Sequence, residues 1–230
     1  MACALLLFRW CPLLKRTVLY LFSTIVFAAC SFARTNAPFP DPAIDTPAAA
    51  PHTKQTAVLA GGCFWGVEAV FDRLKGVTNV VSGFAGGDKS TAHYETVSTG
   101  KTGHAESVKI TFDPSQITFG QLLKVYFAVA HDPTELNRQG PDTGTQYRSA
   151  IFYMDDDQKK VAEAYIQQLN AANVFRRPIV TQVVPFHGFY AAESYHQHFL
   201  DNNPNNLYIV FNDLPKLAAL KKQYPQMCKR

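Results

Sequence analysis

Residues Thr56–Gly76 read TAVLAGGCFWGVEAVFDRLKG, and this stretch decides the fold. TAVLA (56–60) is a short apolar run of strand length. After Cys63, apolar residues recur at 64, 67, 70, 71 and 74, the spacing of one helix face. Gly61-Gly62 lets the chain turn sharply between the two, and Gly76 supplies a C-cap for a helix over 63–75. A strand feeding a helix is half of a βαβ unit, and Cys63 stands at its junction, followed by Phe64 and Trp65.

Working outward, strands are expected over 77–87, 106–113, 147–154 and 179–186. Helices are expected over 118–130, opened by Thr118 as N-cap, and over 155–172, with acids in its first turn. A short helix over 191–203 and one more before Pro225 complete the body. The order β-α-β-β-α with a closing strand predicts an α+β fold with a ferredoxin-like split βαβ core. Long peripheral loops at 87–105 and 131–146 and an extended C-terminal tail surround it. Loops of that length in a compact domain usually carry function.

The chain has 230 residues and a formal charge of +4. Three of those charges, Arg9, Lys15 and Arg16, lie in residues 1–33, which hold no acid, so the remainder carries roughly +1. A nearly neutral body without a basic run excludes an electrostatic nucleic-acid binder. Residues 1–33 combine that basic region with the apolar run TVLYLFSTIVFAA and read as a secretory leader. Ser31-Phe32-Ala33 suits cleavage before Arg34. Phe27-Ala28-Ala29-Cys30 resembles a lipobox, in which Cys30 would carry lipid and tether the body to a membrane. An uncleaved anchor is the third reading. In each the body is exported, to the periplasm in a bacterium. Residues 34–55 are rich in Pro and Ala and form a linker. Residues 56–230 are the folded domain with its tail, read as a monomer.

Of five cysteines, 3, 11 and 30 lie in the leader, which leaves Cys63 and Cys228 in the body. No Cys-x-x-Cys pair supports a zinc ribbon or a thioredoxin motif. Two cysteines in an oxidising compartment are either a structural bridge or a redox couple. Cys63 at a helix start is placed for a lowered thiol pKa. Trp65 falls off the helix's apolar stripe, beside Glu68, Ala69 and Asp72, where it could wall a small apolar pocket. In ESVKITF (106–112), Glu106 shares a face with Val108, Ile110 and Phe112. It either points inward, where burial raises a carboxyl's pKa and makes it a proton donor, or reaches water at the strand edge. Asp142 sits in a turn between Gly140-Pro141 and Gly144, followed by Tyr147, and an ordinary Asx turn explains it equally. Tyr94 lies in the other long loop. His196 and His198 point apart if helical, which argues for packing over a shared metal.

Four blocks, GGCFWG (61–66), GHAESVKITFDP (103–114), RQGPDTGTQYRSAIF (138–152) and ESYHQHFL (193–200), resemble in content and order the peptide methionine sulfoxide reductases of the A class. The resemblance covers about residues 56 to 215. It implies that Cys63 is the catalytic nucleophile and that Phe64 and Trp65 hold the substrate's S-methyl group. It implies that Glu106 protonates the sulfoxide oxygen, with Tyr94, Asp142 and Tyr147 as polar residues around it. The implied reaction is thiol-dependent reduction of methionine-S-sulfoxide, free or in oxidised proteins and peptides, with no metal and no bound cofactor. A sulfenic acid on Cys63 would be resolved by Cys228, the body's other thiol. The disulfide would then be reduced by an external thioredoxin-like dithiol. The chain departs from some members in carrying Ser98 where they have a cysteine, and one C-terminal cysteine where they have two. Two rival readings are a cysteine acyl-transfer hydrolase using His104 or His187, and a non-catalytic module stapled by Cys63–Cys228.

Overall fold

A computed structural model of the chain describes residues 39–46 and 53–229, so the leader and Cys30 lie outside the described residues. The core is a mixed α/β arrangement built on a six-stranded sheet. Its strands are β1 (Gln55–Gly61), β2 (Val77–Ala85), β3 (Ala105–Phe112), β6 (Ser149–Tyr153), β7 (Gln182–Pro185) and β8 (Phe189–Ala191). A separate two-stranded hairpin, β4 (Arg138–Gln139) and β5 (Asp142–Thr143), lies in the loop between β3 and β6. The sheet order is β7-β6-β1-β3-β2-β8. All neighbours pair antiparallel except β6 with β7. β1 and β2, joined by helix α1 (Phe64–Asp72), thus run the same way with β3 between them.

Side-chain alternation divides the sheet. Ala57 and Leu59 of β1, and Val108, Ile110 and Phe112 of β3, join the main core with α1 and with α3 (Phe119–Val125) and α4 (Asp156–Ala171). Val58, Ala60, Ala105 and Ala150 face the other way, into a thin layer covered by Val184, Phe186 and Phe189. Thr118 caps α3 through a full capping box with Gln121, as its position in the sequence suggested. The chain continues past α3 as one π-helical turn, Tyr126–Ala130.

The expected helix over 191–203 does not form. Residues 189–191 add to the sheet as β8, Ser194–His196 make a 3-10 turn, and only Phe199–Asn202 (α5) is helical. His198 adopts φ +52°, a left-handed conformation that ends one turn and starts the next. Tertiary bonds outweigh the local helix pattern: the Gln197 side chain bonds Ser82 of β2 and the Ala192 carbonyl, and the His198 amide donates to Glu68. Residues 39–46, within the segment read as a linker, lie against α3 and α4. Phe39 packs edge-on to Phe175, Tyr165 donates to the Pro40 carbonyl, and Asp45 accepts from the Gly120 amide. The final helix, α6 (Leu214–Gln223), crosses α1.

Candidate active site

The short β1–α1 turn depends on Gly62. Its φ of +90° is a glycine conformation, and a Cβ there would stand 2.5 Å from Gln139. That close approach brings the hairpin loop carrying Asp142 over the start of α1. Cys63 is the N-cap of α1 and is 8% exposed.

β3 carries Glu106 on the helix-bearing face, in register with Phe84 of β2. Its carboxyl accepts the Phe64 amide at 3.1 Å, so one of α1's unpaired N–H groups holds it beside the cysteine. Glu106 is 2% exposed, and burial pushes its pKa up to about 8. The inward reading of Glu106 therefore holds and the wet-edge reading does not.

The cysteine reverses the expectation. Burial raises the Cys63 thiol well above its ordinary value, and Glu106 and Asp213 add to the rise, while the Trp65 amide lowers it. The helix start is present, but the Phe64 amide is spent on Glu106 and the thiol is buried. Near neutrality the resting pair is a thiol beside a carboxylic acid.

The structure brings the predicted residues together. Cys63, Phe64, Trp65, Tyr94, Glu106, Asp142 and Tyr147 line one cavity of about 190 Å³. Tyr208, which no sequence signal singled out, completes it. Its hydroxyl donates to Asp142, whose carboxyl burial raises and this bond lowers. Burial and the neighbouring charges of Glu106 and Asp142 raise the Tyr147 hydroxyl, and it stays a protonated donor. Burial, with Glu106 nearby, also raises Tyr94.

Trp65 is not on an open helix face. It stacks on Phe199 at 3.7 Å and 11°, meets Tyr208 edge-on, and donates its indole N–H to His196 at 3.1 Å. Glu68, one turn on, is likewise buried and bonded to Ser82 and the His198 amide. The C-terminal segments cover what the sequence presents as α1's polar side.

The two loops are tied to each other. Arg148 donates to the carbonyls of Gly103, His104 and Thr145, and Thr145 donates to Gly100. The Tyr94 amide is held by Glu193 at 3.1 Å. These partners fix Tyr94 and Tyr147 around the cavity.

Cys228 is not brought to Cys63. Both are free thiols, which removes the staple from this state of the protein. Cys228 pairs as an antiparallel bridge with Leu74, beyond the far end of α1. At 1.5 Å per helical residue that is roughly 16 Å from Cys63. Flanking bonds hold it there: Lys75 N–H to Met227, Lys229 N–H to Arg73, and Lys75 Nζ to Gln226, each 2.8 Å.

Among the described residues no histidine lines the cavity. His104 is pinned elsewhere, accepting from the Gly87 amide and bonding the Asp88 carbonyl, so it is no base for Cys63. Among the described residues the grouping with metal-ligand spacing is Asp72, His198 and Asp201. Arg73 pairs with both of its carboxylates and Lys229 with Asp72, so two cations already balance them.

The family model described as peptide methionine sulfoxide reductase matches residues 55–227. A peptide methionine sulfoxide reductase of Mesorhizobium japonicum is 60% identical over 173 residues, 75% of this chain and 89% of that one. One of Synechocystis sp. is 49% identical over 192 residues, 83% of this chain and 90% of that one. Among solved structures, Mxr1 from Saccharomyces cerevisiae in reduced form matches with a TM-score of 0.60 and 35% identity, over 68% of this chain and 90% of that one. Methionine sulfoxide reductase A of Corynebacterium diphtheriae matches with a TM-score of 0.57 and 38% identity, over 73% and 83%.

Proposed function

The chain belongs to the peptide methionine sulfoxide reductase family and is a thiol-dependent peptide-methionine (S)-S-oxide reductase, and from that premise we propose how its residues divide the reaction. The observation that carries the division is the buried, raised carboxyl of Glu106 held beside the Cys63 thiol in one small cavity. A sulfoxide sulfur becomes electrophilic when its oxygen is protonated or strongly hydrogen-bonded. Glu106 gives its proton to that oxygen, and Tyr94 and Tyr147 donate hydrogen bonds to it. The sulfur of Cys63 attacks the substrate sulfur, and its thiol proton returns to the Glu106 carboxylate. The S–O bond of the substrate then breaks as its hydroxyl passes to the Cys63 sulfur, the transient bond between the two sulfurs breaks with it, methionine leaves, and Cys63 becomes a sulfenic acid. Methionine sulfur gains two electrons and the cysteine sulfur loses two. Phe64 and Trp65 hold the S-methyl group in the apolar part of the cavity.

Neither metal nor bound organic cofactor has a part in this scheme, because the electrons come from thiols. Cys228 attacks the sulfenic sulfur, releasing water and forming Cys63–Cys228. The tail must first leave its bridge with Leu74. Three hydrogen bonds of about 1 kcal/mol each set the scale of that step. The body has no third thiol, which supports an external thioredoxin-like dithiol as the reductant that restores the pair.

The strand order β6-β1-β3-β2 with its antiparallel pairing supports the ferredoxin-like description of the core. The basic and apolar composition of residues 1–33 supports export, with cleavage before Arg34 or lipid on Cys30 as the two routes. The reductase activity together with that leader supports repair of oxidised proteins in the periplasm as its task. The test is a single turnover by the reduced protein on peptides containing each sulfoxide epimer. One methionine per chain from the S epimer and none from the R epimer is expected. Absence of methionine from both overturns the reading.

A further inference from the structure

Eight large apolar side chains are exposed among the described residues, and four of them, Leu207, Val210, Phe211 and Leu214, fall within one eight-residue stretch. The backbone from 207 to 223 is continuously helical. Its inward side is core, with Ile209 fully buried, and its outward side would ordinarily be polar. Here Leu207 is 72% and Phe211 73% exposed. Such a concentration marks an interaction surface more often than chance placement.

The stripe shares its first helical turn with a residue of the catalytic cavity. Tyr208, next to Leu207 on the same turn, lines that cavity and bonds Asp142 across it. The cavity's volume of about 190 Å³ equals that of roughly six waters. It accommodates one methionine-sized side chain, so the rest of a polypeptide substrate lies outside it. A substrate backbone leaving past Tyr208 would run by the neighbouring Leu207 and, one turn on, Phe211. Methionine is itself a core-forming residue, so apolar residues recur near it in sequence, two away in a strand or three to four away in a helix.

We propose that the outward face of Leu207, Val210, Phe211 and Leu214 is a docking surface for the apolar residues flanking methionine sulfoxide in an unfolded polypeptide. This deepens, and rests on, the reductase reading. It gives the enzyme a preference among substrates that the cavity alone does not supply.

The test uses the reduced full chain and single-turnover formation of methionine. Three S-sulfoxide substrates are compared: the free amino acid, a peptide with Leu and Val flanks, and one with Ser and Asn flanks. The wild type should half-saturate with the apolar-flanked peptide at about tenfold lower concentration than with the polar one. The double variant Leu207→Ser/Phe211→Ser should erase that difference and leave the free amino acid unaffected. Both side chains are mostly in water, so the fold should survive, and an unchanged melting curve verifies this. Equal use of both peptides by the wild type overturns the proposal, as does an equal loss on all three substrates. A defect confined to multiple turnover with a protein dithiol would assign the surface to the reductant. A concentration-dependent dimer broken by the variant would assign it to a second copy. Either result overturns the proposal. Failure of the wild type on the free amino acid as well would take down the reductase reading beneath it.

Discussion

Replacing Glu106 with Gln should slow catalysis and stabilise the fold at once. Gln keeps an oxygen to accept the Phe64 amide at the present 3.1 Å and fills the same volume, but it cannot transfer a proton. Loss of a general acid costs about 10²–10⁴-fold in the chemical step. Substrate affinity should change less than about threefold, since the amide can still donate a hydrogen bond to the sulfoxide oxygen. The stability effect has the opposite sign. A carboxyl raised from 4.5 to about 8 by burial is protonated in the fold while it ionises in the unfolded chain. Its favourable contribution is complete below pH 4.5, falls as pH rises, and is exhausted above pH 8. By pH 7 the fold has lost on the order of 3 kcal/mol relative to a neutral isostere. E106Q should therefore melt about 5–10 °C above the wild type at pH 7, and the two curves should converge near pH 4. Single-turnover rates and thermal melts across pH 4–9 provide both readouts. The wild-type rate should fall above about pH 8 and the variant's small residual rate should lack that limb. A variant within tenfold of wild type, or one that melts lower at pH 7, refutes the buried-acid argument.

Tyr208→Phe removes the hydroxyl that bonds Asp142, and kcat/KM should drop about tenfold. Without that donor the Asp142 carboxyl rises further, so the acid side of the pH–rate profile should shift upward; an unmoved profile would remove Tyr208 from the site. Gly66→Ala places a Cβ 2.0 Å from Oδ1 of Asp213, a fully buried carboxyl paired with Lys216 at 3.1 Å. Overpacking there should cost about 1–3 kcal/mol in urea unfolding, and an unchanged midpoint would mean that Asp213 gives way freely.

The parts of this site that were legible from the residues themselves depend on local geometry: strand parity put Glu106 on the apolar face, and the glycine pair put Cys63 at a helix start. The roles of Tyr94, Asp142 and Tyr147 were legible through the family resemblance alone. What was not legible depends on chain segments far apart in sequence. The raised Cys63 pKa comes from burial together with Glu106 and Asp213, 43 and 150 positions away. Local helix geometry alone pointed the other way. Trp65 fell off the apolar stripe of its own helix because its cover, Phe199 and Tyr208, arrives from segments more than 130 positions away. Tyr208 itself lies after a turn-rich NNPNN stretch that gives no period to read. The failed helix over 191–203 lost to tertiary bonds of Gln197 with Ser82 and of the His198 amide with Glu68, which override weak local preference.

The central claim is that oxygen leaves the substrate onto Cys63 and that Cys228 then crosses to it from the far end of α1. Thiol counting after one turnover on an S-sulfoxide peptide tests it most directly, with the disulfide located by mass spectrometry. Two thiols lost per methionine formed, with a Cys63–Cys228 linkage, is the predicted result. One methionine with both thiols lost elsewhere, or with Cys63 still reduced, would contradict it.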